Sequence, residues 1–227
     1  MDRRMEVLGI QVADVRAAEA LTRTQEFLAT ESLNTVEILT TKMLLEAGEN
    51  EAYKEIIEQL DMTVLGDKKI LEVAEIIDGD YSKEIDNMRY LRGLFRYADY
   101  EGLTFVLLCE TQEEKESLQT YMNRKFSDIK VPAAFSMDEL GEDIDSLINN
   151  INGKSPDVIV AMLAVPEQEL FLAKVRGKLN ARLWLGIGEV LKTAGALDIK
   201  QGFIKKMIEN RIFKKRVVEY QQEKGDS

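Results

Sequence analysis

Histidine is absent from this chain of 227 residues, and cysteine occurs once, at Cys109. Without histidine, a Ser-His-Asp triad, a Cys-His pair and a His-ligated metal are all excluded. A single cysteine excludes an internal disulfide framework, so we expect Cys109 to be a free thiol. Only three prolines occur, which argues against long extended linkers. A chain of this length can bury a sizeable core, so it needs no disulfide or metal to fold.

Long apolar runs are also missing. The longest covers residues 158–166, far short of the about 20 residues that a bilayer-spanning helix needs. Four of the first six residues are charged, and they are not followed by the apolar segment and cleavage site of a signal peptide. The sequence therefore predicts a soluble, cytoplasmic protein.

The charge is unevenly spread. The chain has 41 acidic and 30 basic residues, a net charge of −11, which disfavours nucleic acid as a partner. Residues 200–216 are the exception, because their apolar residues recur at helical spacing among basic ones. This pattern predicts a basic amphipathic helix that could bind an anionic membrane surface, a second subunit or the acidic remainder of its own chain. The basic residues proposed for this surface are Lys205, Lys206, Arg211, Lys214, Lys215 and Arg216. We accordingly predict a main domain over 1–196 and an appendage over 197–227.

Short apolar runs alternate with amphipathic stretches along the main domain. The predicted strands cover 6–10, 35–40, 61–65, 103–108, 129–132, 158–165 and 182–187. The predicted helices cover 15–29, 43–60, 69–77, 86–100, 111–126, 137–152, 167–178 and a short segment from 189. This order predicts an α/β, Rossmann-like fold with a mainly parallel sheet and helices on both faces. Ligands should lie at the carboxyl ends of the strands.

Two kinds of motif could bind phosphate or metal, but both have simpler interpretations. Gly186 and Gly188 lie between a predicted strand and helix, where backbone can approach a phosphate. The third glycine of a dinucleotide fingerprint is missing, and Glu189 places a carboxylate where the phosphate would lie. The pairs Asp78/Asp80 and Asp143/Asp145 have a spacing that can hold a divalent ion. We favour a tight turn for the glycines and structural roles for the aspartates.

Asp67 follows a predicted strand at the ligand-binding edge of the sheet. A carboxylate there could act as the general base for a hydroxyl acceptor. It could equally be a solvated turn residue beside two lysines.

Seven short segments, taken in order, resemble one protein family. They cover 5–10, 38–42, 63–67, 102–108, 151–157, 165–169 and 186–188. The most specific is the sequence from Ser155 to Asp157, an apolar strand, and then Pro166-Glu-Gln-Glu169. On these segments the chain resembles the TagA/CpsF/WecG glycosyltransferase family over nearly its whole length.

The resemblance implies a Rossmann-like enzyme that transfers an N-acetylhexosamine with inversion, typically N-acetylmannosamine from a UDP-sugar. The implied acceptor is a polyprenyl-diphosphate-linked sugar at the inner face of the membrane, where the protein would lie peripherally. No cofactor or obligatory metal is implied, whereas subunit association and a basic C-terminal appendage are. Position by position, the resemblance makes Asp67 and Thr40 catalytic, and it makes four residues substrate-binding: Gln168, Glu169, Gly186 and Gly188.

Several positions depart from the family pattern. Lys42 replaces an asparagine, Met162 and Ala164 replace two glycines, and Glu189 replaces a third. Lys83 and Glu84 lie where an arginine that handles the diphosphate is expected. Because side chains in place of glycines fill ligand space, our leading hypothesis is a homologue with a degenerate donor site, acting as a non-catalytic partner or regulator in cell-surface polysaccharide assembly. One alternative is an active transferase with Asp67 as base, and another is a nucleotide- or membrane-surface-binding module.

Overall fold

We describe the fold from a computed structural model, which describes residues 4–140, 143–193, 195–197 and 222. The predicted basic helix over 200–216 lies outside these residues. The predicted domain boundary between 196 and 197 stays a prediction. The chain begins with a two-stranded antiparallel hairpin of β1 (Arg4–Val7) and β2 (Ile10–Ala13). Its turn residues Leu8 and Gly9 both have positive φ, 53° and 76°, as a tight hairpin turn requires. The prediction of one strand over 6–10 is therefore wrong, because the turn divides it.

A six-stranded parallel sheet forms the centre of the molecule. Its order is β4-β3-β8-β7-β5-β6, and every neighbouring pair is parallel. The strands are β3 (Asn34–Leu39), β4 (Met62–Leu65), β5 (Thr104–Cys109), β6 (Lys130–Ser136), β7 (Val158–Met162) and β8 (Leu183–Gly186). Strands β7 and β8 are buried along their full length, as continuous apolar runs in a parallel sheet require.

Helices cover both faces of this sheet. They are α1 (Ala17–Leu28), α2 (Thr41–Glu49), α3 (Glu51–Glu58), α4 (Lys69–Val73), α5 (Gly79–Asp86), α6 (Arg89–Glu101), α7 (Gln112–Lys125), α8 (Met137–Leu140), α9 (Ile144–Asn152), α10 (Glu167–Val175) and α11 (Val190–Thr193). One core contains residues of α1, α6 and α7, and another contains residues of α9 and α10. The predicted α/β, Rossmann-like fold with a mainly parallel sheet is confirmed.

Side-chain caps divide two helices that the sequence predicts as continuous. The helix predicted over 43–60 is interrupted at Asn50, whose side chain accepts a hydrogen bond from Tyr53 N at 3.2 Å and so begins α3. The helix predicted over 137–152 is likewise two helices, and the Asp143 side chain caps the second by accepting from Ser146 N at 3.0 Å. The periodicity of apolar residues continues across both breaks, which is why it did not reveal them. Among the described residues, no helix has the length and apolar character needed to cross a bilayer.

Candidate active site

A cleft of about 510 Å³ opens at the carboxyl ends of β3, β4 and β8. This is the edge at which open parallel sheets bind their ligands. Its walls come from the segments that follow those strands, from α5, from Met88 just before α6, and from the start of α10. The lining residues include Thr40, Thr41, Lys42, Asp67, Lys68, Lys69, Asp86, Gln168, Gly188 and Glu189. Four of the residues predicted from the sequence, Thr40, Asp67, Gln168 and Gly188, thus meet in one cleft.

Asp67 is held in place at the end of β4. One carboxylate oxygen accepts a hydrogen bond from the backbone N–H of Lys69 at 3.0 Å, and the other accepts from the Thr41 hydroxyl at 3.2 Å. Asp67 is half-buried and faces the cleft. Thr40 lies beside it and caps α2, its hydroxyl accepting from Met43 N at 3.4 Å. The arrangement leaves an oriented carboxylate where a hydroxyl group of a ligand could reach it.

The cleft walls carry charges of both signs. Lys42, Lys68 and Lys69 supply cations, whereas Asp86 and Glu189 supply further carboxylates. Lys68 Nζ lies 2.8 Å from Asp86, and Glu189 lies 3.4 Å from Lys192 Nζ. The two carboxylates besides Asp67 therefore each lie next to a lysine, which reduces the negative charge that an incoming phosphate would meet.

Gln168 closes the floor of the cleft and uses its whole amide on the protein. Its carbonyl oxygen accepts from the N–H groups of Leu163 at 3.2 Å and Gly188 at 3.3 Å. Its amide nitrogen donates to Glu37 at 2.6 Å and to Glu169 at 3.3 Å. Two donors and two acceptors are all that a glutamine side chain offers. In this structure, Gln168 shapes the floor of the cleft and holds the turn at Gly188.

Behind Gln168 lie two fully buried carboxyl groups, those of Glu37 and Glu169. Glu37 accepts hydrogen bonds from Gln168 and from the indole N–H of Trp184 at 2.8 Å. Burial, reinforced by the nearby charge of Glu169, holds the pKa of Glu37 well above its usual value. Burial also raises the pKa of Glu169, which accepts from the Tyr53 hydroxyl at 2.8 Å. The carboxyl groups of Glu37 and Glu169 are neighbours and both are buried, so they favour holding a proton at neutral pH.

Sequence reasoning missed Glu37, although a signal was present. The strand around it, Asn34–Leu39, reads as alternating, which suggests an exposed glutamate. A strand inside a parallel sheet whose two faces are covered by helices has no exposed face, so a glutamate within it must be buried and paired.

Two predicted site residues do not line the cleft. Glu169 is buried behind it, and Gly186 packs against Glu37, since a Cβ at position 186 would collide with that carboxylate. The expectation that Met162 fills ligand space is wrong, because its side chain belongs to the core packed against α1, α6 and α7. Glu189, by contrast, does face the cleft.

The remaining motifs have structural roles. Asp78 caps α5 and pairs with Arg16, whereas Asp145 pairs with Lys178 at 2.8 Å. Within the described part of the chain, no three acidic or cysteine residues are grouped as a metal site would require. Cys109 is a buried free thiol, as predicted. The six basic residues predicted to form a membrane or partner surface, between Lys205 and Arg216, lie outside the described residues.

The family model described as glycosyl transferase WecG/TagA/CpsF family matches residues 5–197. The chain belongs to this family. The resemblance drawn from the seven segments is thereby confirmed. None of the curated proteins compared with the chain matches it. Within the WecG/TagA/CpsF family, the match covers every residue of the cleft described above and ends before the basic segment at 200–216. The individual roles assigned to Thr40, Asp67, Gln168, Glu169, Gly186 and Gly188 remain predictions.

Proposed function

We propose that the chain is an active glycosyltransferase that moves an N-acetylhexosamine from a UDP-sugar to a polyprenyl-diphosphate-linked acceptor. The observation that carries this proposal is the open cleft of about 510 Å³ at the strand ends, with Asp67 facing into it. A pocket of this volume is in the range that cofactor-sized and drug-sized ligands occupy. Of the substitutions that suggested a closed donor site, Met162 lies in the core and leaves the cleft open, whereas Glu189 faces the cleft.

Asp67 is the proposed general base. It would accept the proton of the acceptor hydroxyl as that oxygen attacks the anomeric carbon and the UDP leaving group departs. Its hydrogen bonds to Thr41 and to Lys69 N fix the carboxylate without neutralising it. Lys42 and Lys69 line the same cleft and are suited to the diphosphate of the donor. They would stand in for the missing arginine as point charges rather than as bidentate clamps.

The rival proposal is our leading hypothesis from the sequence, a homologue with a degenerate donor site and a non-catalytic partner or regulatory role. Glu189 and Asp86 favour it, because both place carboxylates on the walls where a diphosphate would have to lie. Like charges in a partly buried site disfavour anion binding.

Calorimetric titration of the full chain with UDP separates the two proposals. Binding that weakens on Lys42→Gln, with Lys154→Gln as an exposed control of equal charge change, supports a donor site. Absence of heat up to millimolar UDP argues for the degenerate homologue. Binding of UDP without sugar transfer to a polyprenyl-diphosphate-linked acceptor would instead fit a nucleotide-binding module.

For the basic segment, we propose binding to an anionic membrane at the cytoplasmic face, where a lipid-linked acceptor would be reached. The seven basic residues against one acidic residue in 200–216 support this. The test is flotation of the full chain with phosphatidylglycerol vesicles, before and after replacement of the six residues Lys205, Lys206, Arg211, Lys214, Lys215 and Arg216 by glutamine. Equal retention of both proteins would contradict the proposal.

A further inference from the structure

A second concave surface lies outside the cleft, between α1 and α6. This groove has a volume of about 320 Å³. It is lined by small and apolar residues of α1, by Asn87, and by Gly93 and three arginines of α6, namely Arg89, Arg92 and Arg96. No carboxylate lines it, and it shares no lining residue with the cleft. In a chain with a net charge of −11, a groove lined by three cations and no anion is a local reversal of charge.

The arginines follow one face of α6. Their spacing of i, i+3 and i+7 places them along a ridge about 10 Å long. Arg89 donates to Glu84 at 3.3 Å, whereas Arg92 and Arg96 are exposed, and their guanidinium groups form no ion pair or hydrogen bond in the described part of the chain. Two guanidinium groups next to a groove are thus available to a ligand.

We propose that the α1–α6 groove is a binding site for a phosphate-bearing ligand, held chiefly by Arg92 and Arg96. A guanidinium group binds a phosphate through two parallel N–H···O hydrogen bonds. The rise between Arg92 and Arg96 is about 6 Å, which suits two contacts to one diphosphate or to neighbouring phosphates. The apolar lining residues Ala17, Ala18 and Leu21 suit the uncharged part of an organic phosphate. This site uses no residue of the cleft, so its test does not depend on the proposed function.

The test uses the full chain in which the six basic residues of the C-terminal segment are replaced by glutamine, so that they do not contribute. Inorganic diphosphate is titrated while the side-chain Nε–H signals of isotopically labelled arginine are followed by NMR. We expect the Arg92 and Arg96 signals to shift in a saturable manner, whereas those of Arg176 and Arg182 stay in place. Arg92→Gln/Arg96→Gln should weaken the calorimetric affinity of this site at least tenfold. Lys154→Gln/Lys174→Gln, an equal change of charge elsewhere, should leave it unaltered.

Two further arms identify the source of the phosphate. Flotation with phosphatidic acid vesicles that is lost in Arg92→Gln/Arg96→Gln indicates a lipid-borne phosphate, whereas loss of diphosphate binding alone indicates a soluble one. The proposal is overturned if the Arg92 and Arg96 signals do not move up to millimolar diphosphate and neither probe distinguishes the arginine variant from the lysine variant.

Discussion

Gly186 leaves open the space that the buried carboxylate of Glu37 occupies. The two residues are paired in register on adjacent strands β8 and β3, and a Cβ at position 186 would overlap the Glu37 carboxylate. The carboxylate in turn holds Gln168, and Gln168 holds the turn at Gly188 on the floor of the cleft. A glycine that the family pattern assigns to substrate binding therefore acts here through the packing behind the cleft.

The first prediction concerns this pair. Gly186→Ala should destabilise the protein by about 1–3 kcal/mol or more, because neither the strand backbone nor the fully paired carboxylate can move away freely. The measurement is urea unfolding, with Gly177→Ala as the control, since nothing lies within 4 Å of a Cβ added at position 177. In a Glu37→Ala background the cost of Gly186→Ala should shrink, as expected for residues in direct contact. Equal stability of the two single alanine variants would contradict the structure.

The second prediction concerns pH. The folded-state pKa of Glu169 is raised from 4.5 to about 7, chiefly by burial. An acid whose pKa is raised on folding binds more protons in the folded state, so the contribution of Glu169 to stability is fully present below about pH 4.5 and is lost as the pH rises to about 7. Glu169→Gln cannot titrate, and it should remove part of that loss, on the order of 1–3 kcal/mol.

The measurement is the free energy of unfolding at pH 5 and at pH 7.5 for both proteins. Several carboxyl groups, such as the half-buried Asp78 and the exposed Asp145, have lowered pKa values, caused chiefly by backbone hydrogen bonds and by Lys178 respectively. Their contributions are lost below this window, so they do not obscure it. A Glu169→Gln variant with the same pH dependence as the parent protein would show that this carboxyl does not titrate between the two pH values.

The contrast between Glu37 and Asp67 shows how far the sequence leads. Asp67 was predictable because its place at the end of a strand is a local feature, and parallel sheets bind ligands at that edge. Glu37 was not, since its partners Gln168 and Trp184 lie 131 and 147 residues away along the chain. Strand–helix alternation likewise gives the fold class, but the hairpin turn at Leu8 and the break at Asn50 depend on single backbone positions that periodicity does not register.

The third prediction tests the base. Asp67→Asn keeps an oxygen that can accept from Lys69 N and an amide that can contact Thr41, so the fold should persist while the carboxylate is lost. We expect kcat for sugar transfer to fall about 100-fold or more, as the loss of a general base produces, with a small change in KM. Asp86→Asn, on the same cleft wall, is the control and should keep kcat within a few-fold. If both variants lose activity equally, Asp67 has no special role.

The fourth prediction compares a buried ion pair with an exposed one. Lys192 Nζ lies 2.6 Å from Glu114, and the two side chains are 8% and 12% exposed. Lys178 and Asp145 are 2.8 Å apart with side chains 60% and 77% exposed. Lys192→Met should lower the free energy of unfolding by about 3–5 kcal/mol, since it leaves the buried carboxylate of Glu114 without its cation. Lys178→Met should change stability by less than about 1 kcal/mol, because solvent already screens that pair.

Replacing both partners of the buried pair separates the loss of the ion pair from the loss of packing. Lys192→Met/Glu114→Leu removes both charges, so it should regain much of the stability that the single variant loses. Chemical unfolding of the three variants and the parent gives the comparison. If Lys192→Met cost no more than Lys178→Met, the side chain of Glu114 would have to reach water in solution. The double variant would then show no recovery.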